Sequence, residues 1–301
     1  MRFFFGSNSG QGRSVDTEAG TIIKLTRRAE IASYLETKRP YAASAFAHLD
    51  PNFLKVTKWY VATKGDANAL CLVAKGLFPT YMLTMGDNAA LDFLLDSIRL
   101  PARTFFTCEL THLSVLRSYY ELEWHLQMKR MLVSRDTFTA GNGGAVKLKA
   151  SHVGAVNRLY SFERGGGNFT SGQIRKGVFY GIWEEDELVA VAGTHLVMPA
   201  YDIAYVGNVM TQPAYRNKGL AKICVSAVTA KLLEQCNEVV LNVEAYNLPA
   251  VRTYSSLGYR DYCLIVEGVG HRKSFVNAII TNVCRKIGLM DKYEERMEPD
   301  G

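Results

Sequence analysis

The stretch YVGNVMTQPAYRNKGLAKICVSAV, residues 205–228, decides how this chain is read. An apolar run of strand character ends at Met210, a short polar segment carries Arg216, Lys218 and Gly219, and a pattern of helical spacing follows. A strand running into such a turn leaves unbonded backbone N–H groups at the start of the next helix, where the helix dipole is positive. That corner suits a phosphate or pyrophosphate. Gly219 fits a place where ligand oxygens come too close for a Cβ, Ala221 one where the helix must sit near the ligand, and Arg216 and Lys218 add charge at the rim. No GxxxxGKS or GxxxxGKT is present, and no GxGxxG follows a strand, so the common nucleotide triphosphate and dinucleotide motifs do not apply.

Working outward, VKLKA reads as a strand, Ser151 as a cap for a helix ending near Phe162, and GGGNFTSG, residues 165–172, as a long turn able to move over a site. IRKGVFYGIWE and ELVAVAGTHLVM flank an acidic turn around Asp186 and predict a hairpin. AYVGNVM is the next strand, followed by a helix from Gly219 to about Cys236 with Leu220, Ile223, Ala227 and Val228 inward. EVVLNV is a strand, Pro249 to Leu257 a short helix, and YRDYCLIVEG a final strand. The order β-α-β-β-β-α-β-α-β predicts an α/β fold, a mixed central sheet flanked by helices.

Two segments carry a family resemblance. QPAYRNKGLAKICVSAV resembles the acyl-CoA-binding motif of the GCN5-related N-acetyltransferases, and LNVEAYNLPAVRTYSSLGYRDY, residues 241–262, resembles that family's second signature: a strand, an Asn, a short helix with a Tyr, and Leu-Gly-Tyr entering the last strand. The resemblance covers about residues 146–267. It implies acetyl-CoA as co-substrate, its pyrophosphate on the amides of Asn217, Lys218, Gly219, Leu220 and Ala221, and Arg216 bracing the loop. It places the pantetheine arm along Asn208, Val209 and Met210, and the thioester where the strands of Val209 and Asn242 splay apart. Asn247 would contact the pantetheine or fix the turn before its helix, and Tyr254 aligns with the Tyr proposed to protonate the leaving thiolate. A phenol near the sulfur makes chemical sense in that role, because charge develops there as the bond breaks.

The incoming amine must lose a proton, and the resemblance assigns no fixed position for the base. Glu244, just after the LNV strand, is the first candidate, His195 the second and Glu163 the third. Each has a plainer reading: Tyr254 as a core aromatic, Asn247 as a helix cap, His195 as a sheet histidine. His48, His112, His125, His152 and His271 show no metal-ligand spacing, so no metal is expected.

The chain has 301 residues, 48% of them hydrophobic, which predicts two domains. Residues 1–20 are expected to be flexible, 21–140 to form a first α/β domain, 141–146 a linker, 147–270 the acyl-CoA-binding domain, and 271–301 an amphipathic helical extension. HLSVLRSYYELEWHLQMKRM, around residues 111–131, reads as a helix. The first domain has the strand and helix of GLFPTYMLTMGDNAALDF but no basic phosphate loop, which points to a degenerate copy of the same fold. Six cysteines without a CxxC pair read as reduced thiols. No apolar run is long enough for a signal core or membrane span, so a cytoplasmic protein is expected.

The net charge of +6 is spread along the chain, which favours anionic small molecules over nucleic acid. The acceptor is expected to be a small-molecule amine or a protein N-terminus. No membrane partner is expected, and a homo-oligomer is allowed but not indicated. A non-catalytic acyl-CoA-responsive binding or interaction protein is the alternative to an enzyme.

Overall fold

The computed structural model describes residues 14–17, 20–77, 79–162 and 166–273. The first part of the chain supplies β1 Ser14–Thr17, β2 Gly20–Leu25, α1 Arg28–Glu36, α2 Ala43–Phe46, α3 Pro51–Leu54, β3 Thr57–Lys64 and β4 Ala67–Ala74. It continues with β5 Thr80–Gly86, α4 Asn88–Ser97, β6 Arg103–Glu109, α5 Leu113–Tyr119 and β7 Tyr120–Ser134. The second part supplies β8 Val146–Lys147, α6 Val153–Tyr160, α7 Ser171–Lys176, β9 Tyr180–Glu184 and β10 Glu187–Met198. It ends with β11 Ile203–Thr211, α8 Leu220–Leu233, β12 Glu238–Glu244, α9 Leu248–Ser255 and β13 Arg260–Arg272.

These elements fall into two compact units. Unit 1 holds the described parts of Met1–Tyr34, Pro51–Leu126 and Val266–Gly301; unit 2 holds Leu35–Asp50 and Gln127–Ile265. The 141–146 segment therefore lies inside unit 2, and β7 and β13 each give one half to either unit.

In unit 1 the strands run in the order β1-β2-β3-β4-β5-β6, then the second half of β13 and the first half of β7. β3 to β5 pair antiparallel, and β5 pairs parallel with β6 through the crossover helix α4. Leu91, Leu94 and Leu95 of α4 pack with Cys71, Val73, Met82 and Phe106 of the sheet. Each such buried aliphatic side chain contributes about 1.5 to 3 kcal/mol.

Unit 2 repeats this plan. β9, β10 and β11 pair antiparallel, and β11 pairs parallel with β12 through α8. β12 pairs antiparallel with β7, running from Glu238 opposite Ser134 to Glu244 opposite Met128. Both units are thus mixed sheets flanked by helices. Along α8, Cys224, Val225, Val228 and Leu232 are buried against Met131, Val133, Ala204, Val206, Val239 and Leu241. The inward face is turned from the one the spacing predicts: Val228 is shared, whereas Ile223 and Ala227 are half-buried. A second cluster joins α6 and α7 to β10 and β11 through Val156, Leu159, Ile174, Phe179, Val191 and Met210.

Four expectations need correction. The helix read at 111–131 stops at Tyr119, and a 15-residue strand follows. Cross-strand pairing of Met128–Ser134 with Glu238–Glu244 overrides a helical spacing that local propensity alone supports weakly. The strand read at IRKGVFYGIWE begins at Tyr180, because Thr170 caps α7 by accepting from the Gln173 N–H and carries 171–176 as helix. Within the stretch expected to be flexible, Ser14–Thr17 pairs with β2. The C-terminal helix expected from 271 begins as the end of β13, and its remainder lies outside the described residues, as does Glu163.

Candidate functional site

Unit 2 contains one place where the sheet opens. β11 and β12 pair only from Ile203 opposite Glu238 to Val206 opposite Leu241, although β11 continues to Thr211 and β12 to Glu244. Two irregularities force the divergence. Between Val191/Gly193 on β10 and Met210/Gly207 on β11 the register shifts, and Asn208 takes a left-handed conformation there, φ 52°. Such a bulge bends its strand and increases its twist. The Asn208 side chain donates to the Thr194 carbonyl at 3.1 Å, which fixes the kink. His195 sits at the second irregularity, between Thr194 and Leu196, with its imidazole against Gly207. A Cβ at Gly207 would lie 2.0 Å from His195 Nε2, so only glycine fits opposite that ring.

Beyond the gap, β11 leads into the corner Gln212–Gly219 and then α8. Arg216 Nε donates to the Thr211 carbonyl at 3.2 Å and ties the loop to the strand end. Asn217 and Gly219 are both left-handed, φ 63° and 77°, so the chain folds back to start the helix at Leu220. Ile223 N–H donates to the Gly219 carbonyl, so the amides of Leu220, Ala221 and Lys222 precede the first helical bond. A Cβ on Gly219 would meet no atom within 4 Å. The corner is open to solvent, with Lys218 Nζ poised 4.7 Å over the Tyr215 ring. At its inner end Thr211 Oγ1 and Gln212 Oε1 are buried without a hydrogen-bond partner among the described residues. Free amides, a positive helix start, two basic side chains and orphaned oxygens fit a phosphate-bearing ligand that also carries amide N–H groups.

The other sequence candidates are placed as follows. Val209 packs at the edge of the α8 core, and Met210 is buried in the α6 cluster, so Met210 can meet a ligand only through its backbone. Asn247 Oδ1 accepts from the Ala250 N–H at 3.2 Å and caps α9, fixing that turn. Tyr254 is buried beside Tyr259, ring centroids 6.2 Å apart, and burial pushes its phenol up to about 12. Glu244 is exposed at the end of β12. More than a third of the His195 surface is open to solvent. Crowding by the protein nevertheless pushes its imidazole down to about 4, with Arg130 adding to the effect. Sequence reasoning missed Arg130, which it absorbed into a helix, and Gly207.

The unit is a mixed α/β sheet whose parallel pair opens beside a basic helix start. Residues 158–259 match the acetyltransferase (GNAT) family. No curated protein matches the sequence significantly. Among solved structures, the chain is similar to a Drosophila protein, with TM-score 0.62 and 13% identity over 83% of this chain and 98% of that one. It is also similar to a GCN5-related N-acetyltransferase from Sphaerobacter thermophilus, TM-score 0.53 and 12% identity over 84% and 97%. A third is a GNAT-family acetyltransferase from Colwellia psychrerythraea, TM-score 0.50 and 12% identity over 84% and 99%. At these identities the likeness is one of fold. Each match spans more than four fifths of this chain, so it extends well beyond residues 158–259.

Proposed function

We propose that unit 2 transfers an acetyl group from acetyl-CoA to a primary amine, on a small molecule or a protein N-terminus, by direct attack on the thioester. Acetyl-CoA supplies an activated acyl group, and the residues of this chain bind, orient and move protons. The amides from Asn217 to Ala221 hold the pyrophosphate, with Arg216 bracing the corner and Lys218 adding charge. The backbone of Asn208, Val209 and Met210 lies along the pantetheine arm, and Thr211 and Gln212 accept from its amides. Asn247 acts indirectly, by fixing the turn before α9.

As the amine nitrogen bonds to the carbonyl carbon, the carbon–sulfur bond breaks and the thiolate takes a proton from Tyr254. A phenol raised to about 12 stays protonated through the neutral range and is available as a donor. The amine proton passes to His195 or Glu244. His195 lies against Gly207 on the strand bordering the gap, and Glu244 is exposed at the end of β12. The reading uses no metal.

The observation that carries it is the open, basic start of α8 directly after a strand that has left its partner. Calorimetric titration of the full chain tests it. Acetyl-CoA binding at one site, without comparable ATP binding, is expected. Gly219→Leu should weaken acetyl-CoA at least about 100-fold while the fold persists, because the added side chain occupies ligand space. Equal affinity in that variant would sink this placement of the pyrophosphate.

A further inference from the structure

Among the described residues, Arg130 is a charge buried in unit 2 without an ionic partner. β7 alternates: Met131 and Val133 enter the α8 core, so Arg130 projects to the opposite face of the sheet. It is fully buried there. Nη1 donates to the Pro40 carbonyl at 3.0 Å, and the guanidinium carbon stacks 4.8 Å from the centre of the Tyr205 ring. Nε and Nη2 are buried with no hydrogen-bond partner. These two nitrogens share one edge of the guanidinium, the edge that takes a carboxylate through two parallel N–H bonds. A buried, uncompensated cation is strongly unfavourable, and one with an entire fork unused implies a missing anion.

Its position says which molecule brings the anion. Arg130 pairs with Asn242, the first residue of β12 after its pairing with β11 ends, so it stands one strand from the gap. The Tyr205 ring that Arg130 stacks on meets the accessible His195 ring edge-on at 4.9 Å. Guanidinium, phenol ring and imidazole therefore form a row on one face, with the exposed His195 at one end of it. The start of α8, which suits the donor's phosphates, lies at the far end of β11.

Resting on the acetyltransferase reading above, we infer that Arg130 binds the carboxylate of the acceptor, and that the acceptor is a free amino acid or similar small amine bearing a carboxylate. Its amine then lies toward His195 and the gap. A protein N-terminus, whose first carboxyl group is an amide, does not satisfy the fork.

The test uses the full-length chain, acetyl-CoA and a panel of free amino acids, each paired with its amino-acid amide and with a short C-terminally amidated peptide, with thiol release as the readout. At least one amino acid should be acetylated with a kcat/KM about 100-fold above its amide and peptide. Arg130→Lys keeps the charge and the apolar stem but loses the fork; Arg130→Met keeps only the bulk. Both should raise the amino-acid KM at least tenfold and abolish the preference over the amide, with acetyl-CoA affinity by calorimetry unchanged.

Equal use of acids and amides, preference for peptides, or no acceptor in the panel would overturn the inference while acetyl-CoA binding kept the acetyltransferase reading. An Arg130→Lys protein that folds and keeps the acid preference would also overturn it, leaving Arg130 as a structural tie to Pro40. Absence of acetyl-CoA binding would remove both.

Discussion

The two units contain the same strand-helix-strand crossover, and their corners have opposite characters. In unit 1 a single residue, Asp87, separates β5 from α4. Its carboxylate accepts from the Asn68 N–H at 2.9 Å, the Gly86 N–H donates to Glu109 Oε1 at 3.3 Å, and His112 Nε2 donates to the Gly86 carbonyl at 2.8 Å. Thr84 completes the chain with a 2.9 Å bond to His112 Nδ1. Every one of these groups is spent on the protein, and the residue that precedes α4 is an Asp, whose charge disfavours phosphate. In unit 2 eight residues, 212–219, occupy the same interval, with two basic side chains and free helical amides. The same crossover thus carries a short, acidic corner in one unit and a long, basic one in the other.

Glycine substitution gives the largest contrast. Gly86 has φ 108° and an added Cβ would lie 2.2 Å from the Asn68 carbonyl oxygen, whereas Gly219, φ 77°, has open space around it. Gly86→Ala should cost about 3 to 4 kcal/mol, from left-handed strain plus backbone displacement, and Gly219→Ala about 1 kcal/mol. Denaturant unfolding of both variants measures the difference; similar losses would mean the second corner is closed as well.

The tyrosines of the last helices extend the comparison. Tyr119 ends α5, between β6 and β7, as Tyr254 stands near the end of α9, between β12 and β13. The Tyr119 hydroxyl donates to the Asp92 carbonyl and carboxylate at 3.0 and 2.9 Å. For Tyr254 burial is the cause of its raised pKa, with no hydrogen bond contributing. Tyr254→Phe should lower turnover about 100-fold with acetyl-CoA affinity within about twofold. Tyr119→Phe should leave turnover alone and cost about 1 to 2 kcal/mol of stability. A Tyr254→Phe enzyme with full turnover would make both tyrosines structural.

Acid is expected to loosen unit 2 more gently. Burial holds His48 down at about 4, from an ordinary value of 6.5. Its folded pKa lies below the unfolded one, so the unfolded chain binds the extra proton. This contribution is complete above about pH 6.5 and is lost as the pH falls toward 4. The loss is about 2 to 3 kcal/mol. His48→Gln should flatten the dependence of unfolding free energy on pH across that window; an unchanged slope would assign it elsewhere.

The conformation of the corner before α8 was legible because its signals are local. Left-handed Asn and Gly, a basic corner and a following helix lie within the dozen residues around Arg216, and Asn247 before Pro249 is a cap wherever it occurs. The α8 face was misjudged because Ile223 and Cys224 are both apolar and only the sheet decides which turns inward. The strand β7 was misread because its partner, Glu238–Glu244, lies more than a hundred residues away.

By itself the sequence determined the order of strands and helices around the corner and the chemistry of that corner, since backbone conformation and helix-start electrostatics depend on neighbours in the chain. Only the tertiary structure decided the rest. Pairing across distant strands ended the β11–β12 ladder at Val206, brought β7 beside β12, and set the Arg130 guanidinium on the Tyr205 ring next to His195. Burial, and with it the unanswered charge, comes from residues that no local pattern connects.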